Sequence, residues 1–177
     1  NLSHIATQPD KLGGDIGTYL ESEMIPAFEK GMMHRNEDII PYVNVFNSTP
    51  DASGYVHFMD TPRYASGYAA LFYTIGFTIE THMLKPFEPR VRATYSFIET
   101  IIDIANNDGS RIKSMRNKLL ATSVANKLMP IEWRIDRSSS TTLNFKGYEG
   151  EQIKSKVTGQ NRLYYNHDKP FTNEIPY

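Results

Sequence analysis

The chain contains no cysteine, and this absence narrows its possible chemistry. It excludes disulfide bonds, thiolate zinc sites and cysteine nucleophiles, and it leaves the redox compartment open. Long apolar runs are also missing, since no stretch approaches the roughly 20 residues that a membrane-spanning helix needs. We therefore expect neither a membrane span nor a signal peptide here, and a targeting segment would precede Asn1.

A dominant charge of one sign is absent as well. The 177 residues include 19 basic and 20 acidic side chains, which gives a formal net charge of −1. This balance provides no general attraction to nucleic acid or anionic membranes, so neither is expected as a partner. The basic stretch from Arg111 to Lys118 fits one solvated face of a helix.

Apolar residues make up 40% of the chain and aromatic residues 12%, which is enough for a substantial core. Helical periodicity ends near Met129-Pro130, and short alternating segments separated by Ser or Gly follow. The sequence therefore predicts an α/β domain over residues 1–128 and a small antiparallel β appendage over residues 129–177. The appendage segments are Ile131–Ile135, Thr141–Tyr148 and Gln152–Val157.

Apolar spacing predicts the main helices of the larger domain. One helix runs from Asp15 to Met33, with a kink or break at Pro26. A second begins near Pro89 and is broken by Asn106-Asn-Asp-Gly109, and a third covers Ser110 to Lys127. Two alternating segments, Tyr42–Phe46 and Gly54–Met59, predict a hairpin.

The segment Gly76-Phe-Thr-Ile79 predicts a short buried strand that ends on Glu80. Its β-branched and aromatic residues favour a strand, and the prolines of Lys85-Pro-Phe-Glu-Pro89 cannot continue one. Ligands and catalytic groups often lie at the carboxyl ends of strands in α/β sheets, so Glu80 is a candidate general acid or base. A solvated or ion-paired carboxylate is the alternative.

Three neighbouring motifs resemble a known family. They are the loop, helix and strand from Asp60-Thr-Pro-Arg-Tyr-Ala-Ser-Gly to Glu80, then Thr-Ile-Glu-Thr-His-Met-Leu-Lys-Pro-Phe, then Arg-Val-Arg-Ala-Thr-Tyr-Ser-Phe. From about Gln8 to Arg116 the chain resembles the C-terminal half of a zinc carboxypeptidase domain of the carboxypeptidase A type, in its bacterial branch. The resemblance implies a mixed sheet with flanking helices, and a secreted or periplasmic parent protein.

The same resemblance implies zinc-dependent hydrolysis of a peptide or related amide substrate. Glu80 would take the proton of a zinc-bound water and deliver it to the leaving amine. Tyr64 would cover the substrate, and Arg63 would bind its carboxylate or instead pair with Asp60. His82 would contact the substrate side or orient Glu80, and a structural hydrogen bond is the equal alternative. The resemblance leaves exopeptidase, amidase and deacylase activities as alternatives.

The zinc ligands of the family are expected outside this sequence. In the family order, a His-x-x-Glu pair and a third histidine precede the segment that this chain resembles. We therefore expect a fragment that binds no zinc alone and whose partner is the N-terminal half of the same domain. His4 has about the right separation from Glu80 for the third ligand, but its neighbours Leu2-Ser-His-Ile-Ala-Thr7 differ from the ligand-bearing strand.

A second set of residues has the same order as the zinc ligands and the catalytic glutamate of the family. His34-Arg-Asn-Glu37 matches His-x-x-Glu, and His57 and Glu80 follow it. The spacing does not match, and a four-letter motif with two free positions occurs often by chance. We interpret His34 and Glu37 as residues of a charged helix end.

A non-catalytic binding module is the alternative function. In this hypothesis the peptidase-like domain is a scaffold, and the appendage contacts glycan, peptide or a partner domain. The aromatic residues that would form a stacking face are Trp133, Tyr148, Tyr164 and Tyr165. Ordinary packing of these aromatic residues is the favoured interpretation.

Overall fold

The computed structural model of the protein describes residues 2–45, 48–83, 85–123, 125 and 128–177. The chain forms two units. The first comprises Asn1–Tyr42 and Met59–Trp133, and the second comprises Val43–Phe58 and Arg134–Tyr177. The second unit therefore combines an internal segment with the C-terminal strands, rather than consisting of one continuous stretch.

The first unit contains three strands and five helices among the described residues. Its strands are β1 (Leu2–Ala6), β2 (Ile39–Pro41) and β3 (Phe77–Thr81), and its helices are α1 (Pro9–Leu12), α2 (Gly14–Tyr19), α3 (Ile25–His34), α4 (Ala65–Ala70) and α5 (Phe87–Ser123). A π-helical turn, Leu20–Met24, joins α2 to α3. The predicted α/β fold class is confirmed.

The three strands form one mixed sheet in the order β2-β1-β3. β1 is parallel to β2, with Ser3 opposite Ile40, and antiparallel to β3, with Ser3 opposite Glu80. Because side chains alternate across a strand, Leu2, His4 and Ala6 share one face of β1. All three are buried, so this face forms the side of the sheet that packs on the helices.

The core is centred on Phe28 of α3, which is fully buried. Its ring contacts His4 of β1, Phe77 of β3 and Phe97 of α5, with centroid separations of 5.1, 5.3 and 5.5 Å. One side chain thus joins two strands and two helices. The buried members of the core are Leu2, Ala6, Leu12, Ile16, Tyr19, Leu20, Met24, Phe28, Met32, Ala93 and Ile104.

The helix predicted from Asp15 to Met33 is confirmed, and the structure shows how it accommodates Pro26. The π-helical turn ends at Met24, and Pro26 then lies in the first turn of α3. Proline has no N–H to donate to the preceding turn, so one intrahelical hydrogen bond is missing at this position. The π turn therefore takes up the irregularity, and the helical path continues to His34.

The predicted break at Asn106-Asn-Asp-Gly109 is wrong, because α5 is continuous through it. Long-range contacts hold this region in helix: the Tyr19 hydroxyl donates to Asp108 Oδ2 at 2.8 Å, and Ile104 and Ile112 pack on the core. Tertiary packing outweighs the weak helix propensity of these residues. The predicted helix end at Lys127 lies outside the described residues. No helix in the described part of the chain is apolar enough over a sufficient length to cross a membrane.

The second unit confirms the predicted antiparallel β structure but not its division into three short strands. It consists of two long strands, β4 (Thr142–Lys154) and β5 (Asn161–Pro176), with a register irregularity at Tyr148/Glu149. Gly150 lies inside β4 rather than in a turn, opposite Tyr165. The segment Ile131–Ile135 contains no strand.

The hairpin predicted from Tyr42–Phe46 and Gly54–Met59 is also wrong, although Phe46 lies outside the described residues. Residues 42–45 and 54–59 form no strand. Gly54 has a φ of +69° and closes a turn through its N–H to the carbonyl of Asp51. Tyr55 then donates to the carbonyl of Pro176 at 3.1 Å, so this segment packs on the end of β5 instead of pairing locally.

The continuity of α5 can be tested with Gly109→Ala. No atom lies within 4 Å of the Cβ that alanine would add, so we expect a gain of about 0.5–1 kcal/mol in the free energy of unfolding. Urea denaturation measures this change. Gly159 is the matched control, because it also has open space but a φ of +70°, so that alanine there should destabilise. If the helix ended at Gly109, the Gly109→Ala variant would show no gain in the free energy of unfolding.

Candidate functional site

Glu80 lies near the end of β3, as predicted, but β3 is not a buried strand. It is at the edge of the described sheet, and its side chains alternate between half-buried and exposed. One face packs on the core and the other faces solvent, which produces this alternation. Glu80 is on the exposed face, with Ser3 directly opposite on β1. A carboxylate in this position is accessible to substrate.

Tyr42 lies close to Glu80 and to Tyr64. Tyr42 follows β2, and its N–H donates to the carbonyl of His4 at 2.9 Å, which fixes it at the edge of the sheet. Burial raises the pKa of the Tyr42 phenol, and the nearby Glu80 carboxylate and Tyr64 raise it further. Tyr42 is therefore near both Glu80 and Tyr64, and we name these three residues the Glu80 site.

A buried ion pair anchors the loop that leads to Tyr64. Lys11 Nζ lies 2.7 Å from Asp60 Oδ1 and also donates to the Asp60 backbone carbonyl. Asp60 is completely buried, and Lys11 provides the close opposite charge that a buried carboxylate requires. The alternative ion pair between Arg63 and Asp60 is therefore wrong, because Lys11 holds this position and Arg63 is exposed.

Gly67 is required where this loop turns into α4. A Cβ at this position would lie 2.4 Å from the carbonyl oxygen of Asp60 and 2.3 Å from that of Thr61. The loop also closes through the N–H of Tyr64, which donates to the carbonyl of Thr61 at 2.9 Å. The resulting tight turn places Tyr64 directly before the first residue of α4.

The hydroxyl of Thr7 connects this loop region to the strand of Glu80. Thr7 is fully buried just after β1, and its Oγ1 lies 3.4 Å from the carbonyl of Ser66 and 3.2 Å from that of Gly76. Gly76 donates its N–H to the same hydroxyl at 2.9 Å. A single polar group thus fixes the start of β3 relative to α4, and with it the relation between Glu80 and Tyr64.

Arg63 and His82 are both exposed. Arg63 precedes Tyr64 in the anchored loop, and His82 follows the last residue of β3. Their accessibility is compatible with substrate contact. Their substrate-binding roles stay predictions.

His4 lies on the opposite face of the sheet from Glu80. It is buried, opposite Ile79 in the strand register, and its ring packs on Phe28. Adjacent residues of β3 point to opposite faces, so Ile79 and His4 face the core while Glu80 faces solvent. His4 and Glu80 therefore do not converge on one position.

His34, Glu37 and His57, the second set that follows the family order, each have different neighbours. Glu37 is buried and pairs with Arg92, whose Nε lies 3.1 Å from Glu37 Oε1. His34 is exposed at the end of α3, and His57 belongs to the second unit, where its Nδ1 lies 2.5 Å from the Tyr177 hydroxyl. Within the described residues, no three His, Asp or Glu side chains are grouped to hold a metal ion. These residues do not fit a zinc site.

The four candidate stacking residues do not form one set. Trp133 belongs to the first unit, and the three tyrosines belong to the second. Tyr148 and Tyr164 are exposed on the hairpin and Tyr165 is half-buried. The Tyr148 ring lies 5.0 Å from the ring of His167 on the facing strand. Tyr148 therefore packs beside His167, while Tyr164 lies opposite Glu151 in the strand register.

Tyr42 and Lys11 are the residues of this region that the sequence did not predict. Tyr42 was assigned to a strand of its own, although Ile39-Ile-Pro41 before it is the segment that pairs with β1. The proline after two β-branched residues was the available signal for an edge strand. Lys11 gave no signal, because its partner Asp60 is 49 residues away in the sequence.

Comparisons with known proteins found no match to a family model, to a curated protein or to a solved structure. The resemblance to the zinc carboxypeptidases is consequently an interpretation of the sequence motifs. Those motifs and the geometry of the Glu80 site are the features of the chain that indicate a function.

The proximity of Tyr42 and Glu80 predicts that the pKa of Tyr42 depends on the Glu80 side chain. A carboxylate disfavours a nearby phenolate, so Glu80→Gln should lower the pKa of Tyr42, which burial still keeps above its ordinary value. A pH titration of the tyrosine Cζ resonances by NMR measures this shift. Glu88→Gln removes an exposed carboxylate at the start of α5 and should leave the Tyr42 pKa unchanged. Equal responses to the two substitutions would contradict the proposed proximity.

The Lys11–Asp60 pair predicts a strong energetic coupling. Removing one partner leaves a buried charge, so Lys11→Met alone or Asp60→Asn alone should lower the free energy of unfolding by about 3–5 kcal/mol. The double variant should lose much less than the sum of the two. Urea denaturation of the four proteins gives the coupling. The exposed Lys118–Asp15 pair is the matched control and should show little coupling. Additive losses at Lys11 and Asp60 would contradict the buried pair.

Proposed function

We propose that this chain forms part of a hydrolase of peptide or related amide bonds, with Glu80 as the general base. The observation that supports this function is the position of Glu80. It is a solvent-accessible carboxylate near the end of a strand, beside Tyr42, on the sheet face opposite the core. The resemblance to the zinc carboxypeptidases assigns the same role to the same residue.

In the proposed reaction, the Glu80 carboxylate removes a proton from a water molecule. The water oxygen attacks the carbonyl carbon of the scissile bond, and Glu80 then transfers the proton to the departing amine as the carbon–nitrogen bond breaks. One residue thus serves as base and then as acid. Tyr42 remains protonated because its pKa is raised, so a neutral phenol lies beside the proposed base.

Substrate binding is assigned to the anchored loop. Arg63 would bind the carboxylate of a peptide through paired hydrogen bonds, a geometry that suits a guanidinium. Tyr64 would cover the bound substrate, and His82 would act at the exposed end of β3. The Lys11–Asp60 pair and Gly67 support this assignment, because they hold the loop in one conformation before substrate binds.

The resemblance also implies zinc, and the described residues do not supply its ligands. In the proposed enzyme, the zinc ligands come from residues other than these, and the N-terminal half of the domain is the expected source. No step of the reaction above is assigned to a metal.

A binding module is the second candidate function. The observation that favours it is the exposed Tyr148 ring, which packs beside His167 on the hairpin of the second unit. Exposed tyrosines at a protein surface combine a large apolar contact area with a hydrogen-bonding group, and they are common at binding sites. This candidate requires no catalysis from Glu80.

Glu80→Gln tests the proposed function in the complete protein. General-base roles contribute about 10² to 10⁴ in rate, so kcat on a peptide substrate should fall by that factor. Glutamine retains the size of the side chain, and unfolding curves show whether the fold is intact. Glu88→Gln is the matched control and should retain activity. Activity of Glu80→Gln within about tenfold of the unmodified protein would exclude the role and favour the binding module.

A further inference from the structure

A second site lies in the first unit, on the core side of the sheet. An open cleft of about 380 Å³ lies between α5, the π-helical turn and the segment that leads into β3. This volume is within the range of roughly 300–1,000 Å³ that is typical of small-molecule sites. Its wall includes Phe77, on the face of β3 opposite Glu80. The cleft is therefore distinct from the Glu80 site.

The lining of this cleft combines an apolar wall with one charge. Ile75, Phe77, Phe97 and Ile101 provide much of the apolar surface. Of the described residues that line the cleft, only Arg116 is charged. Pockets of this kind, in which a few polar groups orient an otherwise apolar ligand, are the usual form of a small-molecule site.

Arg116 differs in its partners from two other arginines of α5, Arg92 and Arg111. Arg92 pairs with Glu37, and Arg111 pairs with Glu23. Arg116 instead donates through Nε to the carbonyl of Phe72 at 3.0 Å and to Thr74 Oγ1 at 3.2 Å. Its two terminal nitrogens make no hydrogen bond or ion pair with the described residues. The guanidinium is thus held in place with its main donors available to an anion.

The rim of the cleft contains an unfavourable backbone conformation. Tyr73, which lines the cleft, has a φ of +50° just after α4. Helices commonly end on such a residue, but it is usually glycine because a Cβ disfavours the left-handed region. A tyrosine kept in this conformation is a feature often found at ligand sites.

We propose that this cleft binds a small amphiphile that has a carboxylate head and a single apolar tail. The carboxylate accepts two hydrogen bonds from the terminal nitrogens of Arg116, and the tail contacts Phe77, Phe97 and Ile101. Charge complementarity favours a monocarboxylate over a neutral or cationic head, since the described residues that line the cleft include one guanidinium and no carboxylate. This inference is independent of the role proposed for Glu80.

Decanoate, used below its micellar concentration, is the probe, and decanol and decyltrimethylammonium are the matched probes with neutral and cationic heads. Isothermal titration calorimetry measures their affinity for the full chain. We expect saturable, stoichiometric binding of decanoate that is at least about tenfold tighter than that of either matched probe, because charge-assisted hydrogen bonds are the stronger ones. Undetectable binding of decanoate, or equal affinity for the three probes, would overturn the proposal.

Two substitutions locate the binding. Arg116→Gln should remove the preference for decanoate over decanol, and Lys113→Gln on the same helix should not. Ala105→Trp should abolish binding of the tail because Ala105 lines the cleft, and Ala121→Trp is the matched control on α5. Thermal unfolding shows whether each variant is folded. Decanoate affinity that responds equally to Arg116→Gln and Lys113→Gln, or that survives Ala105→Trp in a folded protein, would overturn the proposed site.

Discussion

The packing of Phe28 is the constraint on which the first unit depends. Its ring contacts β1, β3 and α5 from α3, so the orientation of the sheet relative to the two longest helical segments is set by one cluster of aromatic rings. His4 is part of this cluster rather than of a polar site. Since this cluster occupies one face of the sheet, the polar chemistry of β3 is confined to the other, where Glu80 lies.

The Glu80 site is assembled from three distant parts of the sequence, and buried polar contacts determine its geometry. Thr7 connects the end of β1 to the start of β3 and to α4, and Lys11 holds the loop before Tyr64. In a low-dielectric interior such contacts are specific, because an unsatisfied polar group is costly. The candidate catalytic carboxylate can therefore be exposed while the backbone that supports it is fixed.

Local patterns in the sequence predicted what local physics decides. The helix around Pro26 and the strand ending near Glu80 follow from apolar spacing and proline positions, and both are present. Long-range contacts decided the rest. The residues Asn106–Gly109 predict a helix break, yet the helix continues through them. The hydroxyl of Tyr19, which is 89 residues away in the sequence, donates to Asp108 and stabilises the helix there. The strand predicted over Gly54–Met59 is absent, because the N–H of Tyr55 donates to the carbonyl of Pro176 instead of to a neighbouring local strand. Arg63 was open to two partners, a substrate carboxylate or Asp60, and the buried pair of Asp60 with Lys11 removes the second.

The second unit has a consequence for the order of folding during synthesis. Its internal segment contacts the last residues of the chain, and the hydrogen bond between His57 and Tyr177 spans 120 residues. Ribosomes add about 5–20 residues per second, so residues 43–58 emerge many seconds before their partners. The first unit can begin to bury its core in that interval. Residues 43–58 must remain soluble without β5, and their turn-rich, polar sequence suits that delay.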